Sequence, residues 1–438
     1  MTPLRRSFNL AFCPPAAIRE KQEALLARHL GHCLRSSFYT RALAGMVSPS
    51  ARRFPLEALR ELPFTTKADL EAQNEAFLAV PRAAVRDIVQ SSGTTGIPTT
   101  VMYTARDLER LAYNEAVCFK GCGMGRGDRV LLTCTLDRCF VAGYAYCLGA
   151  QAVGAASVRS GLNLAEGHAS VLALMRPTFL VGVPGFLRKL GRHLHESGRP
   201  PQGVKGLICI GEPLRDASLK ATALALELEK LWGAPAFSTY SSSEIVTSFC
   251  ECASQCGGHA APDLGLLEIV DESGRVLPPG EAGEIVVTPL GVEGMPLVRF
   301  RTGDIGFFIE EPCSCGRQTL RLSPILGRRA QMLKVRGTTF YPATVFEVLN
   351  GVPEISEHYL EVESEGLSDR VRVHVALSLD TPELKRKIQS LLQARLRVRP
   401  EVCVESEEAI RRRVYVPQSR KPVRFFDLRV QAEEASWK

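Results

Sequence analysis

The chain has 438 residues, more than one ordinary hydrophobic core accommodates, so two or three domains are expected. Hydrophobic residues make up 45% and charged residues 23%, a composition typical of a soluble globular protein. The net charge of +7 is modest and no long Lys/Arg run is interleaved with aromatic residues, which argues against a nucleic-acid partner and suits an anionic small substrate.

The cysteines and the apolar segments indicate the cellular compartment of the protein. Fourteen cysteines are scattered without a paired framework, which favours a reducing compartment and predicts a cytoplasmic protein. The N-terminal apolar patch in "LRRSFNLAFC" is about five residues long, shorter than the roughly 7–15 of a signal peptide. Residues 140–158 could span a bilayer by length, but they are mostly Ala and Gly and include Gln151, so we predict a buried helix and no membrane partner.

The first half of the chain alternates predicted helices and strands. Residues 16–45 are predicted to form one amphipathic helix, with an apolar stripe of Ile18, Leu25, Leu26, Leu30 and Leu34. A Thr/Lys turn within 59–70 precedes a second helix. Apolar runs at 129–135, 179–183 and 206–211 are typical of buried strands, and 214–232 is predicted to be helical. This alternation predicts a mainly parallel sheet flanked by helices.

The pattern changes near residue 264. Segment 264–290 reads as strands separated by Gly/Pro turns, which predicts an antiparallel element. After residues 327–329, "VRVHVALSL", "PELKRKIQSLLQARL" and "EVCVES" predict a strand, a helix and a strand. The sequence therefore predicts an α/β fold with a large N-terminal domain, residues 1–326, and a small α+β C-terminal domain, residues 327–438.

Two glycine-rich segments invite comparison with phosphate-binding loops. "SSGTTGIP", residues 91–98, offers backbone N–H groups and hydroxyls that can hold phosphate oxygens, although a plain surface turn has the same composition. It is not a Walker A loop, because no Gly-Lys-Ser/Thr follows. "GCGMGRGD", residues 121–128, has Arg126 where a dinucleotide fingerprint needs its third glycine, and it precedes a strand, so we interpret it as a turn.

The segment 239–259, "TYSSSEIVTSFCECASQCGGH", combines two kinds of chemistry. Its hydroxyls end in the carboxylate of Glu244, a combination that suits phosphate and Mg²⁺. Cys250, Cys252, Cys256 and His259 then supply thiols and an imidazole, which suit a closed structural zinc site together with the later "CSCG", residues 313–316. The spacing is not that of a zinc finger, so composition alone does not decide, and free, reduced cysteines are the alternative.

Six segments occur in the order found in the adenylate-forming acyl-CoA synthetases: "SSGTTGIP" (91–98), "GEP" (211–213), "YSSSE" (240–244), "RTGD" (301–304), "LGRRAQMLKVRG" (326–337) and "RKPVRFFDLR" (420–429). The chain resembles this superfamily over nearly its whole length. Its "LRELPFTTKADL" and overall length resemble the branch of phenylacetate–CoA ligases and coenzyme F390 synthetase-like proteins. The resemblance implies an AMP-forming acid–thiol ligase that uses ATP and Mg²⁺ to activate a carboxylic acid, aromatic or related, as acyl-AMP and transfers it to coenzyme A.

The resemblance also implies residue roles. Glu244 would bind Mg²⁺, Ser243 would lie near the α-phosphate, and Lys421 would be the lysine of a mobile C-terminal domain that assists adenylation. The residues implied to hold the nucleotide are Ser91, Ser92, Gly93, Thr94, Thr95 and Gly96 at the β- and γ-phosphates, Gly211, Glu212 and Pro213 along the adenine, Tyr240 and Ser243 beside Glu244, Asp304 at the ribose with its partner Arg328, and Lys334.

Similar cysteines and a histidine occur in some relatives of this branch as "ECxxxxGxH" and "CxCG". The resemblance therefore implies a structural Zn²⁺ held by Cys252, His259, Cys313 and Cys315, with Cys256 as the first alternative ligand and Cys250 as the second.

The chain departs from the family pattern at two places. The hinge has Ala330-Gln331 where the family usually has paired acids, and Arg420 replaces the glycine before the terminal lysine. These departures leave three interpretations open: a CoA ligase, a ligase with another acceptor (an amine, a carrier thiol or a deazaflavin hydroxyl), and a catalytically silent binding protein. Tyr144 is a candidate for the acid pocket by motif position alone, and whether the chain forms a homodimer stays open.

Overall fold

The structure is a computed structural model that describes residues 9–91, 99–335, 338–365, 368–416 and 422–429. The chain divides into two compact units. The larger comprises Met1–Ala221, Ala225–Thr302 and Gly306–Ile325, and the smaller comprises Thr222–Leu224, Gly303–Ile305 and Leu326–Lys438.

The helices in the described ranges are α1 (Pro15–Cys33), α2 (Ser37–Ala42), α3 (Lys67–Ala72), α4 (Ala105–Gly121), α5 (Ala142–Val153), α6 (Ala165–Met175), α7 (Pro184–Glu196), α8 (Ala223–Trp232), α9 (Pro342–Asn350), α10 (Pro382–Leu396) and α11 (Glu407–Val414). Within the part of the chain that the structure describes, none of these has the length and apolar character needed to cross a membrane.

The strands are β1 (Val85–Gln90), β2 (Thr100–Thr104), β3 (Arg129–Leu132), β4 (Ala156–Arg159), β5 (Phe179–Gly182), β6 (Gly206–Ile210), β7 (Ala236–Ser242), β8 (Thr247–Cys250), β9 (Gly258–His259), β10 (Gly265–Val270), β11 (Gly283–Pro289), β12 (Phe300–Gly306), β13 (Phe308–Ile309), β14 (Arg321–Leu322), β15 (Gly327–Arg328), β16 (Leu333–Val335), β17 (Thr338–Phe340), β18 (Ile355–Glu365), β19 (Ser368–Leu377), β20 (Glu401–Val404) and β21 (Phe425–Asp427).

A nine-stranded sheet forms the centre of the larger unit, in the order β13-β14-β9-β8-β7-β6-β5-β3-β4. Strands β4, β3, β5, β6 and β7 are parallel, whereas β7, β8, β9, β14 and β13 are joined by antiparallel pairings. Strand β5 is buried along its whole length, as expected where helices cover both faces of a parallel sheet. The predicted α/β fold with a mainly parallel sheet is confirmed, and β10 and β11 form the predicted antiparallel element.

Two predicted helices differ from the observed ones. The single helix over residues 16–45 is two helices, α1 and α2, because Ser36 interrupts it and its hydroxyl accepts a hydrogen bond from the N–H of Tyr39 to begin the second. The helix predicted over 214–232 begins only at Ala223. Before it, Arg215 pairs with Ala221 in an isolated antiparallel bridge, and Leu219 has a left-handed φ of 64°, so the backbone there is extended and turned rather than helical.

The smaller unit contains a four-stranded sheet in the order β20-β19-β18-β21. Strands β19 and β20 are parallel and joined by α10, which confirms the predicted strand–helix–strand unit. The long strand β18, which was not predicted from the sequence, pairs antiparallel with β19 and parallel with β21. The buried residues of these strands and helices, including Val373, Ile388 and Leu392, form one hydrophobic core.

Candidate active site and metal-ligand cluster

The segment that carries the predicted Mg²⁺ ligand is the turn of the β7–β8 hairpin. The two strands pair antiparallel from Thr239 with Cys250 to Ser242 with Thr247, so residues 243–246 form the turn. Ser243 and Glu244 are each 8% exposed. Tyr240 lies on β7 and stacks on Phe249 of β8, with ring centroids 5.9 Å apart. The turn is therefore ordered by the hairpin and places a carboxylate beside a hydroxyl.

A second predicted nucleotide segment lies at the same edge of the sheet. Gly211, Glu212 and Pro213 follow β6 directly, and β6 pairs parallel with β7. Gly211 has a φ of 80°, and the Glu212 carboxylate accepts a hydrogen bond of 3.0 Å from the N–H of Gly185 in the first turn of α7. The carboxyl ends of adjacent parallel strands are where open α/β sheets bind ligands. Residues 211–213 and the turn residues Ser243 and Glu244 therefore follow neighbouring parallel strands, at the end of the sheet where folds of this kind bind ligands.

Of the predicted phosphate-binding residues 91–96, only the first, Ser91, is among the residues that the structure describes. Ser91 is buried; its N–H donates to the carbonyl of Thr99 at 2.8 Å, and its hydroxyl accepts from the N–H of Thr99 at 3.3 Å. These two bonds close the base of the loop. Ser92, Gly93, Thr94, Thr95 and Gly96 lie outside the described residues, as does Lys421.

In the smaller unit, Asp304 and Arg328 lie opposite each other where β12 pairs with β15. The Arg328 Nε atom is 3.3 Å from an Asp304 carboxylate oxygen, so the structure brings this predicted pair together. Lys334 lies in β16, its side chain is exposed, and its backbone N–H donates to the Asp369 carboxylate at 2.6 Å. The Lys334 ammonium group is therefore available on a surface.

The four predicted zinc ligands converge in the larger unit. The ligand atoms of Cys252, His259, Cys313 and Cys315 all lie within 4.8 Å of one another. The sulfur atoms of Cys252 and Cys313 are 3.6 Å apart, and His259 Nε2 is 3.5 Å from the sulfur of Cys315. Cys252 follows β8, His259 lies in β9, and the other two lie between β13 and β14.

The two alternative ligands lie outside this cluster. Neither Cys256 nor Cys250 belongs to the group of converging ligand atoms found among the described residues. The Cys250 sulfur instead lies 3.6 Å from that of Cys122 and accepts a hydrogen bond of 3.1 Å from the Thr239 hydroxyl.

The donor set fits zinc. A tetrahedral site with Zn–S bonds of about 2.3 Å has sulfur atoms about 3.8 Å apart, close to the observed separation. Burial, with the nearby charges of Arg317 and Arg321, lowers the pKa of His259 to about 3, so its imidazole is neutral and able to ligate at pH 7. Burial raises the pKa of Cys252 to about 11, so its thiolate form requires a cation. Burial also acts to raise the pKa of Cys313, but hydrogen bonds, first from the Cys315 backbone, lower it to about 7.

Sequence reasoning missed residues that fix these segments. A buried ion pair joins Arg215 to Glu251, which lies immediately before the ligand Cys252. Tyr103 and Arg110 contact the turn that carries Glu244. The sequence held one usable signal, because Thr104 and Asp107 have capping-box spacing, and both bonds of that box are present at the start of α4.

This fold is that of an adenylate-forming enzyme. The family profile described as AMP-binding enzyme matches residues 57–292, and the profile of the AMP-binding enzyme C-terminal domain matches residues 337–429. The chain belongs to the AMP-binding enzyme family.

Its relatives include phenylacetate-coenzyme A ligases. That of Thermus thermophilus is 34% identical over 381 residues, covering 84% of each chain, and that of Pseudomonas putida is 30% identical over 337 residues, covering 75% of this chain and 74% of the relative. A solved structure of 2-hydroxyisobutyryl-CoA ligase in the postadenylation state, in complex with R3-HIB-AMP, is similar with a TM-score of 0.81 at 22% identity, covering 97% of this chain and 95% of the other, a likeness of fold.

Proposed function

We propose that the protein is an ATP-dependent ligase that activates a carboxylic acid, aromatic or related, as acyl-AMP and transfers the acyl group to coenzyme A. The observation that carries the proposal is that residues 211–213 and the turn residues Ser243 and Glu244 follow adjacent parallel strands at one edge of the sheet. Relatives named phenylacetate-coenzyme A ligase, aligned over most of the chain, support this reaction class.

The proposed chemistry follows from charge. A carboxylate is a poor nucleophile toward the polyanionic phosphates of ATP, so adenylation needs positive charge at the phosphates. Mg²⁺ bound by Glu244 would neutralise part of the phosphate charge. Lys421 would act on the developing charge of the leaving pyrophosphate, and Asp304 with Arg328 would hold the ribose.

We also propose that Cys252, His259, Cys313 and Cys315 bind one structural Zn²⁺. Four protein ligands leave no coordination position for water, so the ion would not take part in the reaction. The hairpin explains why this cluster neighbours the catalytic turn: β8 begins just after the turn of Glu244 and ends two residues before Cys252. The metal would therefore brace the strand that supports Glu244.

The fourteen cysteines are free in the structure, which agrees with our proposal that the protein works in the reducing cytoplasm.

Pyrophosphate release measured with ATP, Mg²⁺ and a panel of aromatic and aliphatic acids tests the first half-reaction. We expect release with at least one acid, and AMP formation that rises strongly when coenzyme A is added. No release with any acid would favour a binding protein. Release without a coenzyme A requirement would favour another acceptor, an alternative that the uncharged hinge residues Ala330 and Gln331 keep open.

A further inference from the structure

Two buried side chains from outside the β7–β8 hairpin hold the backbone of its turn. The Tyr103 hydroxyl, on β2, donates a hydrogen bond of 2.8 Å to the carbonyl of Ser243. The Arg110 guanidinium, on α4, donates to the carbonyl of Val246. These carbonyls belong to the residues immediately before and two after Glu244, so the backbone around the carboxylate is fixed on both sides.

Arg110 makes an unusual set of contacts for a charged residue that is only 7% exposed. Besides Val246, it donates to the carbonyls of Leu264 and Leu290, the latter at 2.8 Å, and to the Thr247 hydroxyl at 3.1 Å. All four acceptors are neutral oxygens. Burying a guanidinium costs free energy unless its N–H groups are hydrogen-bonded, and these four hydrogen bonds offset that cost for Arg110. They join the catalytic turn to two other segments of the larger unit.

The turn needs such support. Val246 has a φ of 50°, in the left-handed region that is strained for a β-branched residue. The anchors themselves are rigid: Tyr103 is fully buried, and the capping box of Thr104 and Asp107 ties the end of β2 to the start of α4. Asp107 also accepts hydrogen bonds from the N–H groups of Glu293 and Gly294, at 2.7 and 2.8 Å.

We propose that Tyr103 and Arg110 are positioning residues for adenylation, which fix the turn so that the Glu244 carboxylate stands where it binds Mg²⁺. This inference rests on the proposed function, because it concerns the placement of the proposed Mg²⁺ ligand. Both groups keep their protons at neutral pH: burial, reinforced by the charge of Glu244, raises the pKa of Tyr103 well above its usual value, and burial lowers the pKa of Arg110 only to about 10.

The test is Tyr103→Phe, which removes one hydrogen bond and keeps the ring. Its matched control is Tyr113→Phe, because Tyr113 lies on α4 and donates a hydrogen bond of 3.2 Å to Asp263, which is not a residue of the turn. We expect Tyr103→Phe to lower the rate of pyrophosphate release about tenfold and to raise the Mg²⁺ concentration needed for half-maximal rate at least threefold. Reaction of the preformed acyl adenylate with coenzyme A should stay within twofold, and Tyr113→Phe should match the wild type in both assays.

Arg110→Lys provides a second variant, since lysine keeps the charge but loses the planar fork of donors. Because both residues act on one turn, we expect the double variant to lose less than the product of the two single losses. Wild-type Mg²⁺ dependence in Tyr103→Phe, or equal losses in both half-reactions, would overturn the proposal. If Glu244→Gln leaves Mg²⁺ dependence unchanged, the proposed role of Glu244 fails instead; if Glu244→Gln is inactive while Tyr103→Phe is normal, only the positioning role fails.

Discussion

Replacing Cys313 by serine tests whether the four converging ligands bind zinc. A serine hydroxyl is a poor zinc ligand, and three ligands with an open position bind the metal less tightly than four. We expect the wild-type protein, purified without chelator, to contain one zinc per chain and the Cys313→Ser variant to contain less than about a fifth of an equivalent. The melting temperature should fall first and the activity second, because the proposed metal would brace the hairpin without entering the reaction.

The size of the expected stability loss follows from the length of the chain segment that a bound metal would close into a loop. Cys252 and Cys313 are 61 residues apart in sequence, and their sulfur atoms are 3.6 Å apart. Treated as a cross-link, closure of such a loop stabilises the folded state by ~4 kcal/mol through the entropy of the unfolded chain. A loss of 1 kcal/mol lowers the melting temperature of a domain somewhat smaller than this larger unit by about 2–4 °C. We therefore expect the melting temperature of the variant to be on the order of 10 °C lower than that of the wild type.

The control is Cys256→Ser, which changes a cysteine of the same segment outside the cluster and should keep full zinc and a normal melting temperature. Elemental analysis and calorimetry, with and without chelator, measure both quantities. Less than about half an equivalent of zinc in the wild type would refute the site. A Cys313→Ser variant with full zinc and full stability would show that the ligands are wrongly assigned.

Three further predictions concern single residues. Glu244→Gln should lower pyrophosphate release at least about 10²-fold with little change in melting temperature, and near-normal release would remove Glu244 from the mechanism. Lys421→Ala should impair adenylation far more than the reaction of preformed acyl adenylate with coenzyme A, whereas equal losses in both would contradict its role. Glu251→Gln should destabilise the protein by up to about 3 kcal/mol in urea unfolding, because it removes the nearer carboxylate, at 3.3 Å, from the buried Arg215 and leaves only Glu229 at 3.8 Å; an unchanged midpoint would show that the pair contributes little.

The sequence predicted most accurately those elements whose local residue pattern alone determines the structure. The strands at 179–182 and 206–210 were predicted because buried parallel strands are short, continuous apolar runs. The helix over 214–232 was placed too far toward the N-terminus because its first residues have helical composition, while the buried Arg215 is drawn to Glu251 instead. That partner lies 36 residues later, and no local pattern reveals such a contact.

In the candidate site, too, the sequence indicated the residue types but not the contacts that the tertiary fold creates. The residue types of the metal cluster were visible in the sequence, but only the sheet brings residues 252 and 259 beside 313 and 315 and turns Cys250 toward Cys122. Tyr103 and Arg110 were missed because their partners are backbone carbonyls more than 130 residues away. Carbonyl acceptors leave no trace in the amino-acid sequence, so a residue that positions a backbone cannot be recognised without the structure.

A last prediction concerns Glu115, which is buried on α4 behind the same hairpin. Ser248 and Asn114 donate hydrogen bonds to one of its carboxylate oxygens, at 2.5 and 2.9 Å, but burial outweighs them and raises its pKa from 4.5 to about 7. Because the folded state binds the proton more tightly than the unfolded state, this group's contribution is fully present below pH 4.5 and is lost as the pH rises through 7. The loss is about 3 kcal/mol, from 1.36 kcal/mol per pKa unit.

Urea unfolding at pH 5 and pH 8 tests this prediction for Glu115. Between these pH values the free energy of unfolding of the wild type should fall by up to that amount relative to Glu115→Gln. The control Glu109→Gln, which changes an exposed acid of the same helix, should follow the wild type. Parallel pH dependence of the wild type and Glu115→Gln would show that Glu115 does not take up a proton in this range.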